Sequence, residues 1–385
     1  MEELKRRAEV QFGEVEQDLR DLSRWMYENP ETAYQEHESS ARLAAFLADR
    51  GFEVEHPAYG LETAFLATAG SEGPRIVICA EYDALPGVGH ACGHNVIATA
   101  AAGAGAALSG MAEELGCRVS VLGTPAEEKI GGKVDLIRAG AFEDAAASMM
   151  IHPAPEDTLD PPVLAVAHLV VEFHGKDAHA AATPWEGRNA LDAFVLLYDA
   201  VSVFRQHMKP TDKMHGIITH GGDAPNIIPS YTRSEWYVRA ETKERLDELM
   251  GRFVAMLDSA GVATGCEASW EHEGHEYTDM ISDATMVEMF DANARALGRQ
   301  MVRGADRDVG ASGSTDMGNV SHILPSIHPM IGMDTGGAVN HQPEFAAHTI
   351  TPDGEKAIRD GALGMAWTII DLAAGDRWDD LGSGA

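Results

Sequence analysis

The feature that most restricts the fold is Asn95 to Ala112, the longest stretch without an acidic, basic or histidine side chain. It is mostly Ala and Gly, with Thr99 and Ser109. A helix over Asn95 to Leu115 is apolar on all sides, which places it inside a layered core. It is too weakly apolar to read as a membrane span. Around it, Arg75 to Ala80, Cys117 to Leu122 and Ala146 to Ile151 are short apolar runs that read as core strands. Gly132 to Ala139 is the helix between the last two. This βαβ rhythm predicts an α/β fold with a mainly parallel sheet. Upstream, Phe12, Val15, Leu19, Leu22 and Met26 mark an amphipathic helix ending near Asn29-Pro30. A second helix is expected over Glu38 to Asp49, then short strands at Phe52 to Glu55 and Thr63 to Thr68.

The rhythm changes near Asp160-Pro161-Pro162. Strands are predicted at Val163 to Phe173, Gly216 to Thr219, Ser234 to Val238 and Ala263 to Trp270. Helices are predicted at Arg188 to His207 and Glu244 to Ser259. The order β-α-β-β-α-β is that of a ferredoxin-like module. Helices return at Met286 to Leu297 and Gly354 to Ala373. A chain of 385 residues is expected to hold two domains. The reading is therefore one domain in two parts, 1–162 and 281–385, interrupted by a module at 163–280. The ending from Gly375 onward reads as a mobile tail.

Charge excludes some partners. With 61 acidic and 29 basic side chains the formal net charge is −32, which repels nucleic acid and anionic lipid, so neither is expected as a partner. Cys79, Cys92, Cys117 and Cys266 form no CxxC pair, so no disulfide framework or zinc knuckle is indicated. The charged start, Met1-Glu-Glu-Leu-Lys-Arg-Arg, lacks the apolar run of a signal peptide, and a cytoplasmic protein is expected.

The densest chemistry lies in Glu81-Tyr-Asp-Ala-Leu-Pro-Gly-Val-Gly-His-Ala-Cys-Gly-His-Asn95. It leaves one core strand and enters the buried helix, where ligands of α/β sheets gather. Cys92-Gly-His94 sets a thiol and an imidazole on one turn, both ligands for zinc or a similar metal. The next strand runs into Gly123-Thr-Pro-Ala-Glu127-Glu128, and the third into His152-Pro153. Adjacent carboxylates allow one to bind metal while the other moves a proton. Three consecutive strands thus each end in a candidate ligand. Cys79, by contrast, reads as an inert buried thiol.

These segments, with their order and spacing, resemble the dinuclear metallopeptidases and amidohydrolases that include aminoacylase, carboxypeptidase G, carnosinase and the auxin-conjugate amidohydrolases. The branch of aminobenzoyl-glutamate hydrolase and its dipeptidase relatives is the most similar. The resemblance runs over nearly the whole chain. It implies a zinc-peptidase-like catalytic domain interrupted by a ferredoxin-like dimerisation (lid) domain. It implies two divalent metal ions per subunit, zinc or alternatively manganese, held by Cys92, His94, Glu128, His152 and His341. Cys92 stands where many relatives have a bridging Asp; His94 and His152 would complete one metal, Glu128 and His341 the other. His341, in Asn340-His-Gln-Pro, carries no local mark of a ligand. Glu127 matches the general base. Where relatives often have Arg-Ala-Asp, this chain has Cys79-Ala-Glu81, and Glu81 and Asp83 compete to hold a ligand imidazole from behind.

Within the module, Gly175-Lys-Asp-Ala-His179 matches a segment whose His stabilises the oxyanion in the partner subunit. Gly221-Gly-Asp-Ala-Pro-Asn226 matches one whose Asn binds substrate or oxyanion. Arg239 is either a clamp for a substrate carboxylate or a solvated strand-end Arg. Gly310 to Asn319 resembles a loop lining the substrate cleft. The resemblance implies a homodimer through 163–280 that hydrolyses a small amide: an N-acyl amino acid, an aminobenzoyl-glutamate-like conjugate or a dipeptide. Two other readings remain open: a hydrolytic deaminase or aryl-amide hydrolase on the same centre, and a metal-dependent binding protein without catalysis. Glu127 argues against the last, because a binder needs no proton carrier.

Overall fold

The three- and four-residue spacing of apolar side chains makes α1 (Glu2–Glu28), with Phe12, Leu19 and Met26 buried. The structure, a computed structural model, describes residues 1–306 and 313–382. Next come α2 (His37–Ala48), the short β1 (Glu53–Glu55) and β2 (Phe65–Ala69), and the fully buried β3 (Arg75–Ala80). The charge-free stretch becomes α3 (His94–Leu108), every residue of which is buried. The single helix expected to Leu115 is two. Ser109-Gly110-Met111 interrupts it, and α4 (Ala112–Leu115) is a separate turn stopped by Gly116 in the left-handed region. β4 (Arg118–Gly123), α5 (Gly132–Arg138), β5 (Ala145–Met149) and β6 (His152–Ala154) follow.

The module contains β7 (Ala165–His174), α6 (Ala190–Phe204), β8 (Lys213–His220), β9 (Tyr231–Ala240), α7 (Lys243–Thr264) and β10 (Glu267–His272). α6 begins later than the apolar pattern because the Asn189 side chain caps it, accepting from Leu191 N at 2.9 Å. α7 runs on through Ala263 and Thr264, which were expected in a strand; Gly265, with φ of +69°, ends it. The chain then forms α8 (Ala284–Ala296), α9 (Met317–Ser321), β11 (Ser326–Ile327), β12 (Met330–Gly332), α10 (Pro343–His348) and α11 (Pro352–Ala374).

Two compact units result. The larger comprises Met1–Pro162, Met280–Asp308 and Asp316–Ala385, the smaller Val163–Asp279 and Val309–Thr315. In the larger, the sheet order is β1-β2-β4-β3-β5-β11. The four strands from β4 to β11 pair in parallel, and β1 and β2 add an antiparallel edge. β6 and β12 form a second, parallel pair. α3 packs on this sheet with α1 and α11 against it. Its small residues permit that: a Cβ on Gly103 would lie 2.9 Å from Phe12, and one on Gly105 2.6 Å from Val121. The smaller unit has an antiparallel sheet in the order β10-β7-β9-β8, with Leu197, Phe253 and Leu257 of its two helices in a core with Trp236. Burial alternates strictly along β9, as expected of a sheet covered on one face.

The ending expected to be mobile is docked as far as Gly382. Trp378 and Leu381 pack on the core, and Gly382 N donates to Asp283 at 2.7 Å. Residues 383–385 and the first part of the Gly310–Asn319 loop lie outside the described residues. Among the described residues no helix is long and apolar enough to cross a membrane. Gly105→Val is expected to overpack the α3–β4 contact and cost about 1–3 kcal/mol. A lowered urea midpoint checks this; an unchanged one contradicts the packing.

Candidate metal centre and catalytic site

Parallel β4, β3 and β5 point their carboxyl ends the same way, so the loops leaving them meet. β3 delivers Glu81 and Asp83, and the turn before α3 delivers Cys92 and His94. β4 delivers Glu127 and Glu128, and β5 leads to His152. Gly93 must be glycine here. Its φ is +89°, and a Cβ would sit 2.4 Å from the Pro153 ring. His341 arrives from the far end of the chain. Its N–H donates to Ala91 O at 2.8 Å, and the Asn340 amide donates to Cys92 O and Pro153 O at 3.2 Å each.

The structure brings all five expected ligands together. Donor atoms of Cys92, His94 and His152 lie within 4.8 Å of one another, as do those of Cys92, Glu128 and His341. Cys92 belongs to both sets. Its Sγ is 3.4 Å from His152 Nε2, and His341 Nε2 is 3.6 Å from Glu128 Oε1. His152 Nδ1 donates to Pro153 O at 2.8 Å, which turns Nε2 toward the centre. His94 Nδ1 donates to Asp83 Oδ1 at 2.9 Å, while Asp83 Oδ2 accepts from Glu128 N at 2.9 Å. Of the two carboxylates that compete for the imidazole, Asp83 therefore holds it.

These residues fit a pair of cations. His94 Nε2 and Glu128 Oε1 are buried without a hydrogen-bond partner. Burial, then Glu128, pushes the Cys92 thiol well up. Burial, then Glu81, Glu128 and Asp316, pushes the Glu127 carboxyl well up. Burial opposes charge on His94, yet Cys92 and Asp83 outweigh it and raise its pKa. Bound cations would replace the protons on such ligands. A thiol, three imidazoles and a carboxylate make a donor set suited to zinc.

One residue of the site escaped the sequence reading. Lys133, fully buried on α5, donates to Glu81 and to Asp316, the latter at 2.6 Å. Its backbone N also donates to Asp316, at 2.9 Å. Glu81 is thus engaged by a lysine, with its other oxygen 3.5 Å from His94 Nε2. The scarcity of lysine in the chain was the one available signal. Cys79 behaves as expected: burial pushes its thiol up to about 11. His90 is buried with neither ring nitrogen partnered.

His179, Asn226 and Arg239 belong to the smaller unit. The first two are neighbours there: Ala180 N donates to Asn226 O at 2.9 Å, and His179 bridges to Ile227. His179 is exposed, and its Nδ1 accepts from Ala181 N and Ala182 N at 3.2 Å each. Arg239 is half-buried on β9 and donates to Ser314 Oγ at 2.8 Å. Burial lowers its pKa.

A family model described as a peptidase dimerisation domain matches residues 165–264. The chain is 41% identical over 391 residues to the Xaa-Arg dipeptidase of Mus musculus, covering 97% of this chain and 89% of that one. It is 30% identical over 285 residues to one of the subunits of the p-aminobenzoyl-glutamate hydrolase of Escherichia coli, covering 69% and 59%. A dinuclear metal-binding peptidase of the M20 family from Bacillus subtilis shares the fold, with a TM-score of 0.73 at 21% identity over 94% of this chain and 99% of that one.

Lys133→Met would leave Glu81 and Asp316 buried without their cation. The expected cost is about 3–5 kcal/mol, the usual result of breaking a buried pair from one side. Urea unfolding measures it, and a midpoint equal to wild type contradicts the assigned role.

Proposed function

The chain belongs to the M20 peptidase family of metal-dependent amide-bond hydrolases, and we propose that it is a dipeptidase acting on peptides with a basic carboxyl-terminal residue. The observation that carries the hydrolytic reading is the assembly of Cys92, His94, Glu128, His152 and His341 beside Glu127. The preference for a dipeptide rests on the 41% identity with an Xaa-Arg dipeptidase over nearly the whole chain. A formal charge of −32 also favours approach of a cationic peptide over an anionic conjugate.

In this reading Cys92, His94 and His152 would hold one divalent cation, for which zinc suits the donors, and Cys92, Glu128 and His341 the other. When bound, the pair polarises the scissile carbonyl and acidifies the attacking water. Glu127 takes the proton of that water and passes it to the leaving nitrogen, so the C–N bond breaks as the new C–O bond forms. Asp83 orients the His94 ring and, through Glu128 N, the adjoining turn. His179 and Asn226 donate to the oxyanion. Arg239 clamps the substrate's carboxylate, a task for which its planar guanidinium is shaped.

The smaller unit is the proposed dimer contact. β8 is an edge strand that exposes Ile217 and Ile218, and α6 exposes Val195, Leu196, Tyr198 and Val203. Such an edge and apolar face call for a partner. In a homodimer His179 acts on substrate held by the other subunit.

The test is a panel of dipeptides, N-acyl amino acids, aminobenzoyl-glutamate and aryl amides, assayed with Zn²⁺ and Mn²⁺. Fastest turnover is expected for dipeptides ending in Arg or Lys. Two bound metals with no hydrolysis of any member would favour a binding protein. Glu127→Gln is expected to keep its metals and lose at least about a hundredfold in kcat, the worth of a general base; an unchanged rate would remove Glu127 from that role. Ile217→Lys is expected to shift the protein to monomer in sedimentation and to lower kcat with it. A dimeric variant would move the contact elsewhere.

A further inference from the structure

Glu36 stands where chemistry was not expected, at the start of α2. Its side chain is fully buried. Oε1 accepts a hydrogen bond from Ala126 N at 2.9 Å, across ninety positions of sequence, and the Thr63 hydroxyl is the other polar side chain at the carboxylate. A buried carboxylate is a poor core filler, because an apolar side chain there would avoid its desolvation. What it touches explains it. Ala126 immediately precedes Glu127 and Glu128, and its φ is +58°, in the left-handed region that alanine rarely adopts.

The other side of Ala126 is fixed as well. Its carbonyl accepts from Gly131 N at 3.0 Å and Gly132 N at 3.1 Å. A Cβ on Gly132 would lie 1.9 Å from Pro125 O, so the loop closes this tightly only with glycine. The segment carrying Glu36 is itself anchored. Ala84 N donates to Glu31 O at 2.7 Å, the Glu31 carboxylate accepts from Ser39 N at 2.8 Å, and the Tyr34 hydroxyl donates to Asp135. Asp83 takes Glu128 N from the opposite direction. The turn is therefore clasped by two carboxylates, one before Glu127 and one after it.

We propose that Glu36 is a positioning residue for hydrolysis, holding Ala126 in its left-handed conformation so that Glu127 and Glu128 face the metal centre. This rests on the roles given above to Glu127 and Glu128. Glu36 touches neither substrate nor metal; it acts through one amide hydrogen. Only an acceptor is needed for that, so glutamine serves and alanine does not.

The experiment compares wild type, Glu36→Gln, Glu36→Ala and Leu47→Ala, the last a cavity under the same helix that leaves the clasp alone. Three quantities are read: amide hydrogen exchange of the peptide spanning Thr124 to Gly132 in metal-free protein, zinc affinity, and kcat with KM for the best dipeptide. For Glu36→Ala, faster exchange is expected, with one of the two zinc ions weakened about 10–100-fold. Its kcat should fall about a hundredfold, as for a misplaced catalytic group, while KM stays near wild type. Glu36→Gln should stay near wild type in all three. Leu47→Ala should lose stability but not kcat. Wild-type kcat, exchange and zinc affinity in Glu36→Ala would overturn the proposal. So would equal losses in Glu36→Ala and Leu47→Ala once corrected for folded fraction. If wild type hydrolyses nothing in the panel while exchange and zinc affinity respond as expected, the dipeptidase reading fails and the clasp stands.

Discussion

Negative charge gathered in a dry interior is the constraint on which the larger unit depends. Glu81, Asp83, Glu127 and Asp316 are buried with the Cys92 thiol, and Glu128 is nearly so. Like charges at such distances cannot all ionise without compensation. The protein answers on two sides. Lys133 neutralises the Glu81 and Asp316 side from within α5. The opposite side, where Cys92, Glu128 and the imidazoles converge, is left for divalent cations. Glu127 lies between the two, 3.8 Å from His94 Nε2. With metals bound, a carboxylate placed there would have its affinity for a proton set by cations on both sides, as the general-base role proposed for Glu127 requires.

Such a cluster does not assemble from regular structure alone. Parallel strands bring the right loops to one edge, but each ligand is aimed by an irregular residue next to it. Gly93 separates Cys92 from His94 with φ of +89°, Ala126 precedes the glutamates at +58°, and His341 itself sits at +73°. Non-glycine residues in that region cost of order 1 kcal/mol or more and persist when their surroundings over-determine them. Here the surroundings are specific: Glu36 and Gly132 fix Ala126, and Asn340 ties His341 to Cys92 and Pro153. Backbone strain and ligand geometry are thus two aspects of one arrangement.

Much of this was legible because it is local. A core strand followed by Cys-Gly-His, another by Glu-Glu and a third by His-Pro can be read one segment at a time. The helix period of α1 and the element order of the smaller unit were visible for the same reason. His341 was reachable only through resemblance, since its meeting with Cys92 depends on the closure of the whole larger unit. Lys133 and Glu36 were invisible on similar grounds. Each looks like a polar residue at a helix start, and only tertiary packing buries it against a distant carboxylate or amide. The break in α3 and the docked ending at Trp378 and Leu381 were missed differently. The Ser109-Gly110 pair within an otherwise apolar run, and a polar tail with two large apolar side chains, are both decided by what packs nearby.

The two units differ in how ready their polar groups are for chemistry. In the larger, donors are dry, oriented and hydrogen-bonded from behind before any substrate arrives, so little reorganisation remains. In the smaller, His179 and Asn226 are in water. A solvated imidazole or amide does little for an oxyanion, because water screens it and competes for its hydrogen bonds. Whatever strength these groups bring must come from being desolvated by substrate or by a second subunit. The same holds for the apolar face of α6 and the open edge of β8. The larger unit carries a preorganised centre, whereas the smaller carries groups whose worth would be conditional on assembly, so the proposed dimer would tie turnover to association.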